Sequence, residues 1–213
     1  MDLALSVLAD VSYWALTLYL WMIIVAILLT WVAPDPRNPL VRFLNRMTGP
    51  LWNFMARVLP ARWALFASYA ALLVVMFGIE FVPGVLSTFS SLAGGRIGVD
   101  GLFAPLAGFF LRGIAVVVYN FCYFLILCLV VWFVLTLVSP SVHNPVVRSV
   151  YFLVDPIITP VQRLLPRMRF DLSPLIAAAV LLLVNTFLVG GLMRYATSLI
   201  FIPANVQLPI QHM

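Results

Sequence analysis

Long stretches without a charged side chain constrain this chain more than any other feature of its sequence. Three of them cover residues 11–34, 113–142 and 172–193, with lengths of 24, 30 and 22 residues. The hydrocarbon core of a bilayer requires about 20 apolar residues in helical form. Each stretch is therefore predicted to be a membrane-spanning helix.

A fourth candidate span, from Trp63 to about Ser87, contains the acidic residue Glu80. A helix that enters the membrane at Trp63 rises about 25 Å before it reaches this carboxylate. A charge near the far interface is tolerated more readily than one at the midplane. The sequence thus predicts an all-α membrane protein with four transmembrane helices, at about residues 11–33, 63–87, 113–138 and 174–199.

The composition excludes most other classes of protein. Hydrophobic residues make up 64% of the chain, charged residues only 9%, and the mean hydropathy is +1.13. Soluble domains carry roughly a quarter charged residues. A disordered chain, a disulfide-stapled secreted domain, a coiled coil and a conventional cytosolic enzyme are therefore unexpected.

The basic residues predict the orientation in the membrane. All 12 are arginine, and nine of them fall in residues 34–62 and 139–173. With four spans these two segments face the same compartment, and the positive-inside rule assigns that compartment to the cytoplasm. In a bacterial inner membrane, both termini and the loop at about 83–112 would then lie outside the cytoplasm. Within that loop, residues 102–111 are apolar and either lie flat on the outer leaflet or extend the third span.

The chain contains an internal repeat. When it is shifted by 106 residues, residues 30–60 align with residues 136–166 without a gap, and 11 of the 31 pairs are identical. A unit with two spans re-enters the membrane in its original orientation, so the copies are predicted to be parallel. We therefore expect a first repeat at 1–100 and a second at 101–213. The identical pairs include Asn38/Asn144, Pro39/Pro145, Arg42/Arg148, Pro50/Pro156, Arg57/Arg163 and Pro60/Pro166.

The two basic loops, 34–62 and 139–173, have the pattern of amphipathic helices that lie in the membrane interface. In the first loop, polar residues recur every three or four positions, and apolar residues fill the remainder. Such helices direct arginines toward headgroups and aromatic rings toward acyl chains. The polar positions are Arg42, Asn45, Arg46, Gly49, Asn53 and Arg57.

Prolines at equivalent positions suggest where these surface helices begin and end. Asparagine caps and proline starts a helix readily, so Asn38 and Asn144 are predicted N-caps. Pro50 and Pro156 are predicted to divide each loop into two short helices, with Asp155 capping the second. The closing prolines, Pro60 and Pro166, are expected to end the surface helices.

The repeated pattern resembles the YggT family, also called YlmG, of small bacterial and plastid membrane proteins. It comprises Pro-x-x-x-Asn-Pro-[Leu/Val]-Val-Arg, then Arg-x-Leu-Pro, and Phe-Asp-Leu-Ser-Pro-Leu-Ile at 170–176. The resemblance implies an integral inner-membrane protein of two repeats without an established enzymatic activity. It also implies associations with osmotic stress, cell division or nucleoid organisation, and cytochrome maturation. The Asp171 element is absent from the first repeat, where Leu65–Ser68 stand instead.

No cofactor, metal or catalytic site is predicted. Cys122 and Cys128 lie six residues apart in a span, which suits small packing residues better than a metal or redox site. His143 and His212 have no evident partner ligand. Recognised catalytic and nucleotide-binding motifs are absent from the sequence.

Three polar residues in the spans are interpreted as structural. Glu80 is expected to pair with Arg194 or Arg112 near the outer interface, in preference to an ion pathway. Asn185 falls about halfway along the fourth span, where an unpartnered amide is unfavourable. We interpret it as an interhelical hydrogen-bonding group, with a substrate ligand as the alternative.

Repeated polar positions in the loops are the candidate contact residues. Arg42 and Arg148 are predicted either to bind anionic lipid or to tie the surface helix to carbonyls at the end of the preceding span. Ordinary positive-inside anchoring accounts for arginines in these loops but not for identical positions in both copies. The candidate lipid or partner contacts are Asn38, Arg42, Arg57, Asn144, Arg148, Arg163 and Asp171.

Two classes of function remain from the sequence. The first is a non-enzymatic scaffold or assembly factor for membrane protein complexes, lipid organisation or cell division. Its expected partners are anionic lipids and other membrane proteins or a second copy of the chain, without nucleic acid. The second is a channel or transporter for an ion or small solute, which requires a polar route across the midplane.

Overall fold

The structure is a computed structural model that describes residues 2–32, 35, 37–138, 145–164 and 172–201. These residues form helices and contain no strand. Four helical segments are long and apolar enough to cross a membrane: 2–29, 67–93, 99–137 and 173–200. The helices are α1 Asp2–Val32, α2 Pro39–Val58, α3 Ala67–Ala93, α4 Phe103–Val138, α5 Pro145–Leu164, α6 Ser173–Val184 and α7 Gly190–Ile200, with 3-10 turns at Ala61–Phe66 and Val99–Gly101 and a π-helical turn at Asn185–Val189.

The third spanning helix is longer than the uncharged stretch in the sequence. Residues 103–111, whose position the sequence left open, belong to α4 and extend the third span. Pro105 lies in the first turn of this helix. Backbone N–H groups of a first turn have no intrahelical acceptor, so a proline there removes no hydrogen bond from the helix. The connection between α3 and α4 is correspondingly short, because α3 continues as a helix to Ala93.

The surface helices α2 and α5 are each one continuous helix, so the prediction of two short helices per loop is wrong. Pro50 lies inside α2, and Pro156 and Pro160 lie inside α5. Packing holds α2 on both sides of Pro50: Leu44 is buried before it, and Met55 is buried after it. This burial offsets the roughly 3 kcal/mol by which an interior proline disfavours a helix.

Two side-chain hydrogen bonds lie close to the interior prolines. Next to the break that Pro50 makes in the α2 ladder, the Tyr19 hydroxyl donates to the carbonyl of Met47 at 3.2 Å. In α5, Asp155 does not cap a helix as predicted. Because the helix continues through Pro156, the Asp155 carboxylate instead accepts a hydrogen bond from Thr159 Oγ1 at 3.1 Å.

The predicted ends of α2 are confirmed. Asn38 is the N-cap, and its Oδ1 accepts a hydrogen bond from the Leu40 N–H at 2.9 Å. The helix ends at Val58, two residues before Pro60. Pro145 is the first residue of α5, as Pro39 is the first residue of α2. The corresponding Asn144 and Pro166 lie outside the described residues.

The 106-residue repeat of the sequence recurs in the helix boundaries. α5 begins and ends 106 residues after α2, and the α4 end at Val138 lies 106 residues after the α1 end at Val32. Equivalent positions are also buried alike. At most 2% of each residue is exposed in the pairs Ile23/Leu129, Thr48/Val154 and Ala71/Ala177.

The helices pack into two compact units. The first comprises the described parts of 1–117 and 195–213, and the second comprises 118–194. In the first unit, α1, α2 and α3 share a core around Ile23, Val75 and Ala71. In the second, α4, α5 and α6 share a core around Leu129 and Val154. The units follow packing, whereas the predicted repeat boundary at residue 100 follows sequence duplication and stays a prediction.

Candidate lipid-binding surface and polar groups of the spans

Helix α2 presents three different faces, each about a third of its circumference. The face toward α1 and α3 is buried and contains Val41, Leu44, Thr48 and Met55. A second face is apolar but exposed, with exposed fractions between 42% and 63%. The third face is polar and exposed. The apolar face consists of Leu40, Phe43, Met47, Phe54 and Val58, and the polar face of Arg42, Asn45, Arg46, Asn53 and Arg57.

The arginines of the polar face of α2 are available to ligands. The side chains of Arg42, Arg46 and Arg57 form no ion pair or hydrogen bond with any of the described residues. Arg57 lies in the last turn of the helix, where a positive charge interacts favourably with the helix dipole. The surface therefore offers three guanidinium groups that no described residue engages, beside an exposed apolar face.

Helix α5 has a different polar face. Its Asp155 carboxylate binds the Thr159 hydroxyl and the Tyr151 hydroxyl, and the second of these hydrogen bonds raises the pKa of Tyr151. Arg163 is exposed near the end of the helix. Arg148 belongs to the first turns of α5, but its side chain lies outside the described part of the structure. Asn144 and Asp171 lie outside the described residues.

Glu80 forms an ion pair with Arg112, one of its two predicted partners. The distance between Arg112 Nε and Glu80 Oε2 is 2.9 Å, and the side chains are 39% and 21% exposed, respectively. Glu80 lies 13 residues from either end of α3, about 20 Å from each end. Arg194, the alternative partner, is exposed on α7.

Aromatic rings and glycines also lie at the contact between α3 and α4. The ring centroids of Phe77, Phe81 and Phe110 lie 5.2–6.0 Å apart. A Cβ at Gly84 would meet the ring of Phe109, and one at Gly113 would meet Phe77. The two helices therefore approach closely enough to exclude any side chain at these two positions.

The apolar pattern of the sequence does not single out these glycines. The other small residues that the sequence offers for close helix contact are Ala67, Ala71 and the run 177–179. Of these, Ala67, Ala71, Ala177 and Ala178 are buried, whereas Ala179 is exposed. Glycines within an apolar helix and without a role in a turn were the signal that could have located the closer contacts.

Asn185 is almost fully buried, with 2% of the residue exposed, and it begins the π-helical turn. Its Oδ1 has no hydrogen-bond partner among the described residues. The interhelical hydrogen bond expected from the sequence is therefore not made by this oxygen within that part of the chain. The equivalent residue of the first repeat is Ile79, which lies in an uninterrupted α-helix.

The described residues contain no cluster of three or more His, Cys, Asp or Glu side chains that could hold a metal ion. Cys122 is buried, Cys128 packs against the core of the second unit, and both are free thiols. His143 and His212, for which the sequence offers no partner ligand, lie outside the described residues.

These features define a class of protein. It is a small multi-pass membrane protein made from two copies of a span, a surface helix and a second span. Comparison with known sequences agrees, because the profile of the CCB3/YggT family matches residues 5–90 and 111–192, one segment in each repeat. The chain belongs to the CCB3/YggT family.

Individual relatives are similar along most of their length. The uncharacterized protein PA0392 of Pseudomonas aeruginosa is 29% identical over 181 residues, which cover 83% of this chain and 85% of the relative. The uncharacterized protein YggT of Escherichia coli K12 is 25% identical over 169 residues, covering 79% and 81%. No solved structure has significant similarity to the chain.

Proposed function

We propose that this protein is a non-enzymatic scaffold or assembly factor of the bacterial inner membrane. In this proposal α2 and α5 lie at the cytoplasmic leaflet, where they organise lipid and dock other membrane proteins during complex assembly or cell division. The observation that carries the proposal is the three-faced surface of α2. A helix that already buries one face in its own protein, yet exposes both an apolar and a basic face, suits a position between acyl chains, headgroups and a partner.

The proposed contact residues are the repeated polar positions of the two loops. The Arg42 guanidinium donates no hydrogen bond to a described carbonyl, which favours lipid binding over tying the helix to the preceding span. Asn38 acts indirectly in this scheme, because its side chain caps α2 and so fixes where the basic face begins. Arg57, Asn144, Arg148, Arg163 and Asp171 complete the proposed set.

Replacement of Phe43 and Phe54 by alanine tests the docking role. These residues are 50% and 57% exposed, so we expect removal of their rings to leave the fold intact and to abolish co-purification of a stoichiometric membrane-protein partner in mild detergent. The matched control is a double alanine variant at Phe124 and Leu127, which are exposed to a similar extent on a span. Mass spectrometry of the purified samples measures the result. Equal recovery of partners from wild type and the Phe43/Phe54 variant would contradict the proposal.

A channel or transporter for an ion or small solute is the second candidate, and Asn185 is the observation that favours it. An amide oxygen without a partner inside a span is unfavourable unless something polar binds there. A π-helical turn at the same residue is also common at functional sites. In the corresponding first-repeat segment neither feature is present, because α3 is regular around Ile79.

Leucine at position 185 distinguishes the two candidates. If Asn185 binds no solute, Asn185→Leu removes a buried acceptor that has no partner among the described residues, and we expect stability equal to or about 1–2 kcal/mol above that of wild type. If it binds a solute, the same change abolishes flux into liposomes. The exposed neighbour Thr186, replaced by valine, serves as the control. Solute flux in wild-type proteoliposomes that disappears only with Asn185→Leu would establish transport instead of scaffolding.

A further inference from the structure

The two surface helices of the repeat are chemically different, and the difference predicts which one binds lipid headgroups. We propose that α2 is a binding surface selective for anionic phospholipids, and that the carboxylate of Asp155 removes this property from α5. The inference rests on the proposed function, which places both helices at the cytoplasmic leaflet. It adds a lipid class and a residue that controls selectivity.

The polar face of α2 carries only positive formal charge. Three arginines lie on it, and the whole of Pro39–Val58 contains no acidic residue. Arg42 and Arg46 are one turn apart, and none of the three guanidinium groups is neutralised by a described side chain. Guanidinium groups bind phosphate oxygens through paired N–H donors, so an anionic headgroup is the fitting partner.

The same face of α5 carries a carboxylate at its middle. Arg42 and Arg57 have the counterparts Arg148 and Arg163, but Arg46 is replaced by Phe152 and Gly49 by Asp155. The formal charge of the helix is therefore +1 in α5 and +3 in α2. Asp155 is held in place by its hydrogen bonds to Tyr151 and Thr159, so its charge stays on the polar face.

Gly49 is the position at which α2 can be converted to the α5 pattern. A Cβ added there would meet no atom within 4 Å, so a larger side chain fits without displacing a neighbour. Aspartate immediately before a proline is compatible with this helix, since Asp155 and Pro156 occupy the same positions inside the continuous α5. Gly49→Asp thus changes the charge of the surface with little change in packing.

The experiment compares retention of phosphatidylglycerol and phosphatidylcholine by the full-length protein, titrated in detergent and measured by native mass spectrometry. We expect wild type to retain phosphatidylglycerol preferentially. Because one charge near an anionic surface changes binding about fivefold, Gly49→Asp should weaken this retention about fivefold, and Asp155→Asn should strengthen it. Gly49→Asn, which has nearly the same size without the charge, is the control and should retain the wild-type preference.

Two results would overturn the inference. One is equal retention of the two lipids by wild type, which would exclude an anionic-lipid site. The other is equal weakening by Gly49→Asp and Gly49→Asn, which would attribute the effect to shape and not to charge. Neither result affects the docking test on Phe43 and Phe54, because that test measures protein partners. The Phe43/Phe54 variant could lose its protein partner while Gly49→Asp retains lipid as wild type does. That combination would support the proposed function and refute the lipid inference.

Discussion

Replacement of Gly108 by alanine is expected to lower the free energy of unfolding by about 1–3 kcal/mol, the range seen for overpacking in well-packed cores. The added Cβ would lie 2.7 Å from Ile200 Cγ1, 2.8 Å from the carbonyl oxygen of Ala196 and 3.1 Å from the Ile200 backbone nitrogen. A side chain can rotate away, but the two backbone atoms cannot. The variant therefore has to separate α4 from α7 or shift one along the other.

Unfolding of the detergent-solubilised protein by heat or denaturant measures this effect. Gly191→Ala is the matched control, because Gly191 lies in the same partner helix, α7, and a Cβ there would meet no atom within 4 Å. Alanine is also the better helix former, so the control should equal or exceed wild-type stability. A Gly108→Ala variant as stable as Gly191→Ala would show that the close contact between α4 and α7 is not present in the folded protein.

Replacement of Arg112 by methionine is expected to destabilise the protein by about 1–3 kcal/mol. The change leaves the Glu80 carboxylate unpaired in the middle of α3, beside aromatic rings. Removal of one partner from a fully buried ion pair typically causes a loss of 3–5 kcal/mol. The expected value is smaller here because the protein encloses the pair only partly, with the two side chains 39% and 21% exposed.

A double-mutant cycle separates the ion pair from the packing of its long side chains. The variant with methionine at both Glu80 and Arg112 should be more stable than the sum of the single variants predicts, since neither charge is left alone. Arg163→Met, at an exposed arginine outside the spans, controls for general effects and should change stability by less than about 0.5 kcal/mol. Strict additivity of the two single changes would show that the pair makes no net contribution.

The ends of α2 illustrate which parts of the fold were predictable from sequence. Asn38 caps the helix and Pro39 starts it through contacts within three residues, so the signal is local and complete in the sequence. The interior of the same helix was predicted wrongly. Pro50 indicates a break by local propensity, but burial of residues on both sides against α1 and α3 outweighs that propensity. In α5, Val154 and Ile158 are likewise buried on either side of Pro156, so the helix continues and Asp155 accepts a hydrogen bond from Thr159 and is not an N-cap.

The candidate site divides in the same way. The basic loops and their repeated arginines were evident from spacing, and the structure shows that Arg42 and Arg57 share the exposed polar face of α2. The partner of Glu80 could not be decided between Arg112 and Arg194, because both lie far from it in sequence. The contacts at Gly84 and Gly108 were not foreseen. The sequence around a glycine in an apolar stretch is the same whether the glycine faces lipid or packs against another helix.

The number of spanning helices, the duplication and the basic character of the surface loops follow from the sequence alone. They depend on the length of uncharged stretches and on residues repeated at a constant offset, which need no knowledge of the tertiary structure. The continuity of α2 and α5, the Glu80–Arg112 pair and the tight contacts at glycine were decided by tertiary structure only. Each depends on which atoms from distant segments are brought together, and packing free energies of a few kcal/mol are large enough to override local preferences of similar size.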